Sequence, residues 1–167
     1  WAIVCREWGG PDVLDFSEIE EPLIFEGEVR IKVKASGVNF ADSLIIQGKY
    51  QIKPQHPFCP GLEVAGEVIE CTPSVTRVKL GDRVMAMVQY GGFAEQVVTS
   101  AKNVFKIPDK MDFETAAGFP VTYGTSHIGL KHKLQLKEGE KILITGASGG
   151  VGLTAIELAK LIGAEVI

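Results

Sequence analysis

The sequence predicts a two-part chain: a small, mostly antiparallel β domain followed by the opening of an α/β, doubly wound domain. Three observations carry this. Over residues 28–38, Val29, Ile31, Val33 and Ala35 alternate with Arg30, Lys32 and Lys34, the period of two that buries one face of a strand. Comparable runs recur at residues 63–71, 83–90 and 93–98, separated by Gly, Pro, Ser and Asp, as in an antiparallel sheet joined by turns. Beyond Pro108 the pattern changes, and a short apolar run, a glycine cluster and an amphipathic stretch follow one another.

In that second part, Asp112 is placed to cap a helix beginning at Phe113. Pro120 is expected to interrupt the path before a further helix over residues 123–131. Residues 141–145 read as a strand and residues 146–150 as a glycine-rich loop. Residues 151–162 read as a helix in which Val151, Ala155, Ile156, Ala159 and Ile162 share one face. Gly163 suits a C-terminal stop, and residues 164–167 begin another strand. These elements divide the chain into domains 1–121 and 122–167. A lone strand-helix-strand unit leaves a sheet edge and a sheet face uncovered, so the natural protein is expected to continue beyond Ile167.

A chain of 167 residues with 46% hydrophobic and 23% charged residues has the balance of an ordinary globular protein. Its net charge is -4, and Lys and Arg are scattered singly, without the basic patch of a nucleic-acid binder. No run reaches membrane-spanning length. Neither nucleic acid nor membrane is therefore an expected partner. Cys5, Cys59 and Cys71 are odd in number and lack CxxC spacing, which suits free thiols in a reducing compartment. Cytoplasm is the expected location, with a mitochondrion as the alternative because the chain begins with Trp1 rather than Met.

The run Gly146-Ala147-Ser148-Gly149-Gly150-Val151-Gly152 lies between the apolar strand and the amphipathic helix, the context that turns a glycine cluster into a phosphate-binding turn. Gly149 and Gly150 let backbone approach a pyrophosphate, Gly152 lets the helix pack close to the strand, and the helix N-terminus supplies unpaired N–H groups. Against GxGxxG the three positions are Ala147, Gly149 and Gly152, so the first glycine is replaced. A tight βα turn without ligand is the plainer alternative. No Gly-Lys-Ser/Thr follows, which sets a Walker A loop aside.

Five stretches in order resemble the zinc-free, zeta-crystallin-like quinone oxidoreductase branch of the medium-chain dehydrogenase/reductase superfamily. They are Ser36-Gly37-Val38-Asn39-Phe40-Ala41-Asp42, Gly48-Lys49-Tyr50, Pro60-Gly61-Leu62-Glu63-Val64-Ala65-Gly66-Glu67-Val68, Gly81-Asp82-Arg83-Val84, and the glycine turn. Ala116-Ala117 and Pro120-Val121-Thr122-Tyr123-Gly124 join them. The resemblance implies a GroES-like mostly antiparallel β domain followed by the start of a Rossmann domain, with an active site between the two. Zinc-dependent relatives carry a cysteine ligand where Asn39 stands and a histidine where Leu62 stands. With both gone the usual catalytic zinc has lost two side chains, and no cysteine occurs over residues 81–97 for a structural zinc. No metal is expected. His56 and Cys59 sit in a loop stiffened by Pro57 and Pro60, and His127 and His132 read as helix-surface residues.

By the same resemblance, Asn39 and Phe40 lie near the nicotinamide and Thr122 contacts the cofactor. Ala147, Ser148, Gly149, Gly150, Val151 and Gly152 hold its phosphates, and Tyr50 faces the substrate. Asn39 and Tyr50 are the candidate catalytic residues, because an amide or phenol can donate to an acceptor oxygen as it gains charge. A loop aromatic packed for stability is an equal reading of Tyr50. Asp42 is read as ordering the loop after Asn39, and Glu63 as a structural acid rather than a proton donor. The implied activity is NADPH-dependent hydride transfer to quinones or activated alkenes without zinc, with NADH as the alternative cofactor. Ala147 leans to NADPH by family habit. The alternatives are a 2-enoyl-thioester reductase and a truncated, non-enzymatic interaction form. The full-length protein is expected to be a homodimer, and this chain alone to be inactive.

Overall fold

The computed structural model describes all residues, 1–167, in two compact units, Trp1–Gly118 and Phe119–Ile167. The change of unit lies three residues before the domain boundary read from the sequence. No helix is long and apolar enough to cross a membrane.

In the first unit, β1 (Ala2–Cys5) pairs antiparallel with β2 (Leu14–Ser17). The main sheet holds β3 (Glu28–Gly37), β4 (Glu63–Cys71), β5 (Arg83–Met87), β6 (Gln96–Ser100) and β7 (Val104–Lys106). It is antiparallel throughout, in the order β6-β3-β4-β5-β7. Val29 and Ile31 point into a core with Val64, Val68, Val84, Val97 and Val104. That is the face the alternation assigns them.

Ala35 departs from the alternation. The β3–β4 register slips between Val33 and Ala35, and a bulge of this kind turns the following side chains to the other face. Ala35 therefore joins Ala65, Met85 and Ile107 against α2 (Phe113–Ala117), whose Ala116 and Ala117 are buried there. Asp112 caps α2 as expected, its carboxylate accepting the Thr115 N–H at 2.6 Å. The hydrogen bond from Thr115 holds the Asp112 carboxyl below its ordinary range. A carboxyl whose pKa is lower folded than unfolded adds stability above the unfolded value and loses it as the pH falls through the folded one. Asp112→Ala is therefore expected to lower the urea midpoint at pH 7. The difference from the unsubstituted protein should shrink on acidification, as unfolding curves at pH 7 and pH 3 would show.

Four strands are shorter than the sequence suggests: those read over residues 141–145 and 164–167 keep only Lys141–Ile142 and Glu165–Val166, where the two pair, and two in the main sheet are trimmed as well. β5 ends at Met87 instead of residue 90, and β6 starts at Gln96 because Phe93 and Ala94 serve β1 instead. The Phe93 carbonyl accepts the Ile3 N–H at 2.8 Å, and Ala94 bridges Ala2. One helix was not anticipated: α1 (Phe40–Ile46).

In the second unit, α3 (Phe119–His127) starts before Pro120 rather than after it. Proline in the first turn removes only an N–H that has no intrahelical partner, so it opens the helix instead of breaking it. A π-type turn, Ile128–Lys133, continues α3. β8 (Lys141–Ile142) and β9 (Glu165–Val166) pair in parallel around α4 (Gly150–Ile162). Gly163 ends α4 at φ 88°, while the Ala164 N–H reaches back to the Ala159 carbonyl at 3.0 Å. Leu130, Leu136 and Ala159 form the core with Ile142, Leu158, Ile162 and Val166. Val151 does not share the buried face assigned to it. It is 42% exposed, because the first turns of α4 bury Gly152 against the glycine loop and Thr154 against α3 instead.

Candidate active-site residues and cofactor turn

Asn39 stands at the N-terminus of α1 and is held at two points. Its backbone N–H donates to Asp42 Oδ2 at 2.7 Å, and its side-chain Nδ2 donates to Glu63 Oε1 at 2.8 Å. Asp42 is buried; burial raises its carboxyl pKa, while the Asn39 and Gly61 N–H groups act in the opposite direction. The acid thus orders the start of α1, which is the role the sequence suggested for it.

Glu63 is 1% exposed and opens β4 opposite Gly37, the last residue of β3. A Cβ on Gly37 would run into the Glu63 side chain, so the glycine makes room for the acid. Phe40, the first residue of α1, is 80% exposed. Tyr50 lies beyond α1, just past Gly48, which turns at φ 66° beneath the Trp8 ring. Asn39 caps α1 and Phe40 opens it, whereas the hydrogen bonds of Asn39 go to Asp42 and Glu63 and not to Tyr50.

Leu62, at the position of the zinc-binding histidine in zinc-dependent relatives, is buried, and its carbonyl accepts the Val88 N–H at 2.8 Å. No group of three or more His, Cys, Asp and Glu side chains is gathered to hold a metal ion. His56 packs edge-on against Trp8, ring centroids 4.1 Å apart, and is tilted against Phe58 at 5.4 Å. His127 and His132 are exposed neighbours, 5.5 Å apart. Burial pushes the Cys59 thiol up to about 11. Because the thiolate is the reactive form, Cys59 in the folded protein is expected to resist iodoacetamide at pH 7 and to react on unfolding in urea. Peptide mass mapping of both samples would reveal it, and prompt labelling of native Cys59 would contradict it.

The glycine turn in the second unit is built by two close contacts. Gly146 adopts φ 66°, and its carbonyl accepts the Gly149 N–H at 3.0 Å. A Cβ on Gly152 would collide with that same Gly146 carbonyl and stand 2.8 Å from Ala147 Cα. Gly152 is thus required for the first turn of α4 to close onto the loop. Residues 146–151 are exposed, so the amides of Ala147, Ser148, Gly150 and Val151 are within reach of a ligand, while the Gly149 N–H closes the turn on the Gly146 carbonyl.

The thirteen-residue α4 directs its N-terminal N–H groups at this loop with no acid in its first turn. That combination suits an anion. The donor set therefore fits a dinucleotide pyrophosphate, and residues 147–152 could hold it.

Thr122 comes to the same place. Its Cγ2 lies 3.0 Å from where a Gly150 Cβ would stand, and its carbonyl accepts the Thr154 hydroxyl at 3.1 Å. Ser126 donates to the Val151 carbonyl at 2.8 Å and meets the Thr154 hydroxyl at 2.8 Å. These two buried hydroxyls fix α3 to the start of α4 and were missed in the sequence. Their signal was there: Thr154 interrupts the apolar residues of an amphipathic helix, where a hydroxyl needs a partner.

An antiparallel GroES-like domain followed by a strand, glycine turn and helix defines a chain of the medium-chain dehydrogenase/reductase type. Residues 25–109 match the family model described as "Alcohol dehydrogenase GroES-like domain". The chain belongs to that family, and its relatives place it in the quinone oxidoreductase branch of the superfamily. It is 44% identical over 168 residues to "Quinone oxidoreductase-like protein 2 homolog" of Nematostella vectensis, covering 99% of this chain and 46% of the relative. Among solved structures, human synaptic vesicle membrane protein VAT-1 homolog-like protein superposes with a TM-score of 0.95 at 38% identity, over 99% of this chain and 54% of that one. Escherichia coli quinone oxidoreductase complexed with NADPH gives a TM-score of 0.92 at 32% identity, over 99% and 51%. The chain thus spans about half the length of the relatives it matches.

Proposed function

We propose that the protein is an NADPH-dependent, zinc-independent reductase of quinones or activated alkenes. One observation carries the reading. The glycine turn is closed by Gly152 against Gly146 at the exposed N-terminus of α4, and the same fold in a quinone oxidoreductase is known in complex with NADPH. In this reading residues 147–152 hold the pyrophosphate through backbone N–H groups, and Thr122 lines the cofactor beside Gly150. When bound, NADPH supplies the hydride. The protein's own share is to bind, to orient, and to donate hydrogen bonds to an acceptor oxygen as it gains charge. Asn39 and Tyr50 carry donors of that kind, and exposed Phe40 offers an apolar ring surface. Two substitutions support zinc independence: Leu62 packs into the β domain, and the Asn39 amide is already bonded to Glu63.

The test is a spectrophotometric panel on the protein made from its complete natural coding sequence. NADPH oxidation is followed with a naphthoquinone, a simple enone and a 2-enoyl thioester, each with and without a metal chelator. Turnover of the quinone or the enone, unaffected by chelator, is the expected result. Turnover confined to the thioester would make the protein an enoyl reductase. No turnover of any acceptor would favour a non-enzymatic interaction role.

A further inference from the structure

We propose that Glu63 is a positioning residue: it fixes the amide orientation of Asn39 so that Asn39 offers a ligand an N–H donor in one set place. This rests on the reductase reading for its functional consequence, but the geometry stands by itself. Glu63 is fully buried at the start of β4, and its Oε1 lies 2.8 Å from Asn39 Nδ2. A carboxylate only accepts hydrogen bonds. With Glu63 ionised, the amide turns its NH2 group, and not its oxygen, toward Glu63, as in the structure, since the flipped amide would bring two acceptor oxygens to that distance.

The surroundings are arranged around this contact. Gly37 lacks the Cβ that would displace the Glu63 side chain, and Asp42 holds the backbone of Asn39 by accepting its N–H at 2.7 Å. Side chain and backbone of Asn39 are thus both anchored by acids, one on β4 and one on α1. One of the two amide N–H groups is taken by Glu63, and the other remains for a ligand oxygen. The chemistry that such a donor recognises is a carbonyl oxygen acquiring negative charge. Glu63 never touches the ligand; it acts by denying Asn39 the alternative orientation.

The experiment replaces Glu63 by glutamine, which keeps the volume but can accept from the amide or donate to it, so both orientations become available. Two readouts are taken on the protein from its complete natural coding sequence. In 15N-edited spectra, the Asn39 side-chain NH2 pair should be shifted and slow to exchange, and E63Q should abolish that protection or double the signal. In kinetics with NADPH and the best acceptor of the panel, E63Q should lower kcat about tenfold, a cost of ~1.4 kcal/mol, and should have little further effect when Asn39→Ala is already present.

Equal loss of kcat in both backgrounds would mean a merely structural role and would overturn the proposal, as would an unchanged Asn39 NH2 pair in E63Q. Where E63Q does not fold, Glu63→Asp keeps the charge and withdraws it by one methylene, with the same expectations. If the parent protein turns over no acceptor, the reductase reading fails. The NH2 spectra then decide the positioning claim alone.

Discussion

Gly152→Ala is expected to weaken NADPH binding by about tenfold or more, ~1.4 kcal/mol or above, while leaving the β domain folded. The new Cβ would collide with the Gly146 carbonyl and stand 2.8 Å from Ala147 Cα. Both obstacles are backbone, so no side chain can swing aside. Either the loop lifts away from α4 or the first turn of the helix unwinds. Each movement displaces the amides of residues 147–151 from the arrangement that suits a pyrophosphate.

Gly124→Ala is the matched comparison. It too lies inside a helix, but a Cβ there meets nothing within 4 Å. Alanine should therefore stabilise by about 0.5–1 kcal/mol through the loss of glycine's backbone freedom. Calorimetric titration of both variants separates a lost turn from a general intolerance of substitution. Equal affinity in Gly152→Ala and the unsubstituted protein would show that the turn does not bind through its backbone.

Gly66→Ala should destabilise the β domain by about 1–3 kcal/mol, the usual range for overpacking. That corresponds to a fall in thermal midpoint of roughly 2–4 °C for each kcal/mol in a chain of this size. Gly66 lies in β4 opposite Val33, where β3 bulges. A Cβ there would collide with the Lys32 carbonyl and approach Ile31 Cγ2 at 3.0 Å. Only a backbone without a side chain lets the two central strands come so close. Thermal unfolding followed by circular dichroism measures the shift, and a midpoint unchanged by the substitution would refute this packing argument.

Much of this architecture could be read from the chain, and the failures have physical causes. β4 is legible because Pro60 and Gly61 before it and Pro73 and Ser74 after it punctuate it, and α4 because its period and the stop at Gly163 agree. α1 was missed because seven residues give too few turns for a periodic signal. Yet Asn39 and Asp42 stand three apart, as a helix start requires. Ala35 kept its place in the alternation but changed face, since a bulge adds a residue without altering composition. Val151 falls on the apolar face by its spacing from Ala155, Ile156, Ala159 and Ile162, and spacing carries no information about which neighbour covers the first turn. In the structure the first turns of α4 meet α3 through Thr154 and Ser126.

The candidate site divides in the same way. The glycine turn is local, so neighbouring residues revealed it. The Asn39–Glu63 contact joins residues 24 apart, a distance at which pattern is silent and only the pairing of β3 with β4 brings them together.

The most direct test is a calorimetric titration of the protein made from its complete natural coding sequence with NADPH and, separately, with NADH. Saturable binding, tighter for NADPH and weakened in Gly152→Ala, is the expected result. A folded protein that binds neither nucleotide would contradict it, leaving the glycine turn as a tight connection between strand and helix and nothing more.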